Sequence, residues 1–151
     1  MKILMVCLGN ICRSPLAEGI LRKKIEKNKI KAEVASAGFV SFHAGDPADK
    51  RAQKTALQFG IDLSHHRAQV FKSSDFDTYD LIYVMDNENM KDVLGLSRKK
   101  EDHQKTRLIL NEIFPGENKI VPDPYYGGSE GFVHVFQLLD KACDAIIQKI
   151  R

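Results

Sequence analysis

The chain has 151 residues, 43% hydrophobic and 28% charged, with 23 basic against 20 acidic side chains for a net charge of +3. That length suits one domain spanning residues 1–151, and no apolar run reaches the ~20 residues of a membrane-spanning helix. Basic residues are dispersed through stretches such as RKKIEKNKIK rather than gathered into an arm, so neither a membrane nor a nucleic acid is expected as a partner.

Three cysteines are too few for a disulfide scaffold, and MKILMVC is too short for a signal-peptide core, which points to a cytoplasmic protein with reduced thiols. In chain order, strand-like runs occur at ILMV (3–6), EVASA (33–37), DLIYVM (80–85) and RLIL (107–110), with helical stretches between them. Ser14 followed by Pro15 reads as an N-cap and first helical position, and Leu16, Ile20, Leu21 and Ile25 give that first helix an apolar stripe. Asp46, Pro47 and Asp49 open a second helix that ends near Gly60, and Asp86 and Asn89 begin a third. After Ser129, the residues Phe132, Phe136, Leu139, Cys143, Ile146 and Ile150 recur at steps of four and three, the buried face of a last helix. Strand and helix alternate four times, which predicts an α/β single-domain three-layer sandwich: a four-stranded parallel open sheet with helices on both faces. Ligands of such sheets bind beyond the carboxyl ends of the strands.

The stretch CLGNICRS (7–14) lies at such an end, between the first strand and the first helix. A loop of this kind can curl so that successive backbone N–H groups converge, and the helix N-terminus adds partial positive charge, making an anion cradle. Gly9 allows a tight turn, and Asn10 tolerates left-handed dihedrals while its side chain bonds neighbouring groups. A cysteine at the strand end would feel these N–H groups, the helix dipole and Arg13, all of which favour the thiolate, so Cys7 is the expected nucleophile. The planar fork of Arg13 matches two oxygens of a phosphate. Cys-x5-Arg alone is a weak pattern; its weight comes from coinciding with the glycine, the asparagine, the Ser-Pro pair, the strand before and the helix after. In VPDPYYGG, Asp123 stands between two prolines that stiffen the backbone and can aim a carboxylate over another site, as a proton donor requires. Tyr125 and Tyr126 beside it are either a packed corner or a surface on which a phenyl ring stacks.

The motif CLGNICRSP, together with SAG (36–38), GDPADKRA (45–52), HRA (66–68), MD (85–86) and DPYYGG (123–128), resembles the low-molecular-weight protein tyrosine phosphatases over nearly the whole chain. The resemblance implies Cys7 as nucleophile, Arg13 as phosphate clamp and Asp123 as general acid. It implies a phosphate loop of Leu8, Gly9, Asn10, Ile11, Cys12 and Ser14, supported by Ser36 and His66, and a substrate cleft walled by Phe42, Tyr125 and Tyr126. Gln69 stands where the family usually carries a basic residue, and Phe42 where some members have tryptophan.

The expected reaction is hydrolysis of phosphotyrosine and aryl phosphates through a cysteinyl-phosphate, without a metal or other cofactor, on a tyrosine-phosphorylated protein or peptide. The chain is expected as a monomer or in weak self-association. Cys12 is either a small core residue or a redox partner that traps an oxidised Cys7. His43, His65, His66 and His103 match no metal-ligand spacing, and SRKKEDHQK (97–105) reads as a solvated face or loop. Two rival readings are a phosphoarginine phosphatase, whose members tend to carry threonine where this chain has Ile11, and a phosphocysteine carrier, which would need no Asp123.

Overall fold

A computed structural model describes residues 1–151. Four strands, β1 (Lys2–Val6), β2 (Glu33–Ala37), β3 (Leu81–Val84) and β4 (Thr106–Leu108), pair in parallel in the order β2-β1-β3-β4. Six helices accompany them: α1 (Arg13–Lys27), α2 (Lys50–Gln58), α3 (Asp75–Thr78), α4 (Asn87–Leu94), α5 (Lys100–Gln104) and α6 (Ser129–Ile150).

The period of two in the strands divides the interior. Ile3, Met5 and Cys7, with Leu81, Tyr83 and Met85, face the core formed with α1, α2 and α6, while Leu4 and Val6, with Ile82 and Val84, face Phe71, Phe76 and Val93 on the other side. The first core holds 29 buried residues against nine in the second, so most of the hydrophobic stabilisation lies on the α1/α6 side. This is the expected three-layer sandwich. The helix stripes are seated as predicted: Leu16, Ile20, Leu21 and Ile25 on α1 and Phe132, Phe136, Leu139, Cys143 and Ile146 on α6 are buried, with Ile150 half-buried at the end.

Two elements differ from the sequence reading. β4 stops at Leu108 and the chain turns into a 3₁₀ segment, Ile109–Glu112. Ile109 and Leu110 are consecutive yet both pack into the α1/α6-side core, which alternating strand geometry cannot deliver, so the backbone coils instead. The N-cap of α1 is Cys12 rather than Ser14, and Ser14 and Pro15 lie inside its first turn. Ser14 is drawn away from capping by its partners in the loop. Asp49 and Asp86 do cap α2 and α4, accepting from the backbone N–H of Arg51 and Asn89. The sequence reading had no counterpart for the short α3 and α5; α5 falls within SRKKEDHQK, where Lys99–Glu101 are exposed but Asp102 is fully buried.

The chain runs from β1 out to β2 and then returns to the far side of β1 at β3. The crevice of an open parallel sheet forms where the order reverses, here at the carboxyl ends of β1 and β3. Cys7 directly follows β1, and Asp86 lies two residues past β3.

Candidate active site

Residues 7–13 form a ring whose carbonyls point outward to fixed partners. The Leu8 carbonyl accepts from the N–H groups of Phe39 (2.7 Å) and Val40 (3.2 Å), and the Ile11 carbonyl from that of Asp49 (2.8 Å). The Asn10 carbonyl accepts from His66 Nε2 (2.7 Å), which fixes the proton of that ring on Nε2. In a planar trans peptide the N–H lies opposite its carbonyl, so the N–H groups of Gly9, Ile11 and Cys12 are turned toward the ring interior. An anion at the centre meets donors on several sides.

Asn10, with φ of 56°, is the left-handed residue of the ring; Gly9 is not in that region. Gly9 therefore serves by size rather than by dihedral freedom, since a Cβ there would lie 3.2 Å from the His43 ring. Gly38 carries the stronger constraint: a Cβ would sit 2.8 Å from both the Asn10 nitrogen and the Leu8 oxygen, which are backbone atoms. The end of β2 passes so close to the ring that only glycine fits.

Asn10 also organises the interior. Its Nδ2 donates to Ser14 Oγ (2.7 Å) and Ser36 Oγ (2.9 Å), and its Oδ1 accepts from the Gln69 N–H (2.9 Å). Because Ser14 Oγ accepts from Asn10, its own proton is free to go to Cys7 Sγ, 3.0 Å away, and the Asn10 N–H reaches the same sulfur at 3.3 Å. Two donors thus converge on Cys7. Ser36 Oγ in turn donates to the Glu18 carboxylate, which lies 3.9 Å from His66 Nδ1. Gln69 is part of this support and lies behind the ring, its side chain donating to the Ser36 carbonyl (2.9 Å).

Arg13 is 3% exposed. Its Nη1 donates to Asp86 Oδ2 (2.7 Å) and the Val121 carbonyl (2.9 Å), and its Nη2 faces Asp123 Oδ2 at 3.7 Å. A buried guanidinium needs such a carboxylate, and Asp86 holds the fork in one orientation. Asp123 is 38% exposed on its side chain, and its Oδ1 accepts from the Tyr125 N–H (3.0 Å).

Cys7, Arg13 and Asp123 open into one cavity of about 180 Å³. Leu8, Gly9, Ile11 and Cys12 of the ring line it too, together with Val40, Phe42, His43, Tyr125 and Tyr126 from other segments. Phe42 is 75% and Tyr126 95% exposed, and the rings of Tyr125 and Tyr126 stack at 5.0 Å. This is a projecting wall rather than a packed corner. Asn10, Ser14, Ser36 and His66 lie beneath the ring and outside that lining. Burial, followed by the charges of Asp49, Cys7 and Asp123, pushes the Cys12 thiol far above its ordinary value. His43, His65, His66 and His103 gather into no cluster able to hold a metal.

Sequence reasoning missed the roles of Asp86, Glu18, Gly38 and Gln69 in this assembly. Asp86 carried a signal, being a carboxylate at the carboxyl end of a strand beside β1; Gln69 carried none, because its partners are backbone groups of distant segments.

The profile of the low molecular weight phosphotyrosine protein phosphatases matches residues 2–151. Low molecular weight phosphotyrosine protein phosphatase 1 of Drosophila melanogaster is 40% identical, with 98% of this chain and 96% of that one covered. Among solved structures, a protein tyrosine phosphatase from Entamoeba histolytica with Hepes in its active site superposes with a TM-score of 0.92 at 38% identity, covering 99% and 96% of the two chains. A Drosophila arginine phosphatase superposes with a TM-score of 0.91 at 31% identity, covering 99% and 97%.

Proposed function

The chain belongs to the low molecular weight phosphotyrosine protein phosphatase family and is a phosphatase, and from that premise we propose that it hydrolyses phosphotyrosine on proteins or peptides through a cysteinyl-phosphate. The observation that carries this reading is the opening of Cys7, Arg13 and Asp123 into one aromatic-walled cavity. Cys7 Sγ attacks phosphorus in line with the departing oxygen. The S–P bond forms as the P–O bond breaks, and the inward N–H groups and Arg13 hold the equatorial oxygens. Asp123 gives its proton to the leaving phenolate, an effect worth about 10²- to 10⁴-fold. In the second step Asp123 takes a proton from water as the water oxygen attacks phosphorus, the S–P bond breaks and the thiolate returns. Arg13 and the ring amides supply the charge stabilisation, so the scheme needs no metal ion.

The cavity lining favours phosphotyrosine. Cys7 shares one cavity with the aromatic rings of Phe42, Tyr125 and Tyr126, which supports a planar aryl leaving group. Ile11 places an apolar side chain in the lining, without the hydroxyl of threonine. Cys12 lines the same cavity as Cys7, which supports a protective disulfide after oxidation of the nucleophile.

The test is hydrolysis of para-nitrophenyl phosphate without added metal, followed by phosphotyrosine and phosphoarginine peptides in competition. Activity lost in Cys7→Ser, inhibited competitively by phosphate and higher on phosphotyrosine, is the expected result. Preference for phosphoarginine would move the assignment to that substrate, and an inactive wild type would favour a carrier. Recovery by thiol reductant after peroxide should be complete in the wild type and incomplete in Cys12→Ser; equal recovery would remove the protective role.

A further inference from the structure

Arg51 lies on α2, outside the residues assigned to the reaction, and joins three parts of the site. Its guanidinium forks onto Asp49, with Nε 3.1 Å from Oδ1 and Nη2 3.0 Å from Oδ2. Its Nη1 donates to the Gly127 carbonyl at 3.2 Å. The flat cation lies 5.4 Å over the Tyr125 ring and 4.8 Å over that of Phe132 at the start of α6. Asp49 is itself anchored to the ring, its N–H donating to the Ile11 carbonyl.

We propose that Arg51 is a positioning residue for the 123–128 loop, a clasp that sets the height of the Asp123 carboxyl above Cys7. The proposal rests on Asp123 acting as general acid. Asp123 has little of its own to hold it: one hydrogen bond from the adjacent turn and a 3.7 Å approach to Arg13. Proton transfer to a leaving oxygen requires heavy atoms within about 2.6–3.2 Å, so a loop free to rise by an ångström loses the step. Arg51 supplies the restraint by tying Gly127 and the Tyr125 ring to Asp49, which is fixed to the Ile11 carbonyl. The Arg51 side chain touches Asp49, Gly127, Tyr125 and Phe132 but no residue of the ring, so phosphate binding does not depend on it.

A double-mutant cycle of Arg51→Met and Asp123→Asn, read with phenyl phosphate and with a strongly activated aryl phosphate, tests this. Methionine keeps the packing over Phe132 while removing the charge and the hydrogen bonds. Arg51→Met is expected to lose about tenfold in kcat/KM on phenyl phosphate, which reports formation of the cysteinyl-phosphate and is a fraction of the general-acid effect, with little change in kcat/KM on the activated ester or in the phosphate inhibition constant. In the Asp123→Asn background the same substitution should cost almost nothing. Arg51→Lys, which retains one donor for Gly127, should recover part of the loss. Equal losses of kcat/KM on both esters, or losses that multiply in the double variant, would overturn the clasp while leaving Asp123 as the acid. If Asp123→Asn itself fails to steepen the dependence on leaving group, both the acid assignment and the clasp fall.

Discussion

Asp86, the N-cap of α4 beyond the end of β3 and 73 residues away in sequence, holds Arg13 at 2.7 Å, and this contact aims the buried guanidinium at the cavity. Asparagine is as good an N-cap as aspartate, so Asp86→Asn should leave the cap of α4 intact while removing the charge that compensates and orients the buried Arg13, at a cost of up to about 3–5 kcal/mol in stability. The expected result is a rise of about tenfold in the phosphate inhibition constant, ~1.4 kcal/mol, with a matching fall in kcat/KM. An unchanged inhibition constant would mean that the Val121 carbonyl alone fixes the arginine.

Asn10 combines a left-handed backbone with three side-chain hydrogen bonds, which two substitutions separate. Asn10→Gly keeps the dihedral at no steric cost and loses only the network; Asn10→Ala loses both and should be less stable by a further ~1 kcal/mol. Both should lose activity, because Ser14 is then no longer held against Cys7. Urea denaturation and kcat on an aryl phosphate measure the two effects, and equal stability of the two variants would contradict the strain argument.

Gly38→Ala forces a Cβ against two backbone atoms of the ring, so β2 or the ring must move. The expected cost is about 1–3 kcal/mol of stability, with a loss of phosphate affinity. Gly9→Ala meets only side chains, the His43 ring edge most closely, and should cost less. A Gly38→Ala protein with unaltered phosphate affinity would show that the strand can shift without disturbing the loop.

Alkaline pH should weaken the fold through three buried groups. Burial raises Cys12, Cys143 and Tyr83 above their ordinary values of 9.0, 9.0 and 10.0, with nearby acidic groups adding to the shift at Cys12 and Tyr83. Each of these groups stays neutral in the folded chain at a pH where the unfolded chain ionises. The stability they contribute is therefore complete below pH 9 and falls as the pH rises beyond it. Urea midpoints between pH 7 and 10.5 should show this decline. Tyr83→Phe should flatten it and, because the Tyr83 hydroxyl is buried without a hydrogen-bond partner, should cost little or nothing at pH 7.

The sheet and main helices were legible because their determinants are local: the short apolar runs ILMV and LIYV, the caps Asp49 and Asp86, and the periodic stripe from Phe132 to Ile146. Ser14–Pro15 misled because the pair has the composition of a cap, whereas Ser14 Oγ is engaged by Cys7 and Asn10 across the ring. RLIL misled because a run of apolar residues does not reveal that Ile109 and Leu110 face the same core. Within the site, the placing of Cys7 and Arg13 on one strand-to-helix loop could be read from the surrounding motif, but the clasp at Arg51, the support from Gln69 and the closeness of Gly38 depend on which segments the tertiary fold brings together.

Cys7, Asn10, Cys12, Arg13 and Ser14 are buried and tied into the same interior that stabilises the protein, whereas Phe42 and Tyr126 stand almost free of it. Substitutions in the ring are therefore felt by both stability and turnover, while substitutions at the rim cost the fold little. Exchange of a rim residue is therefore expected to leave both the folded state and the chemistry of the loop in place, so the outer face of the cavity is the part of this architecture most open to change.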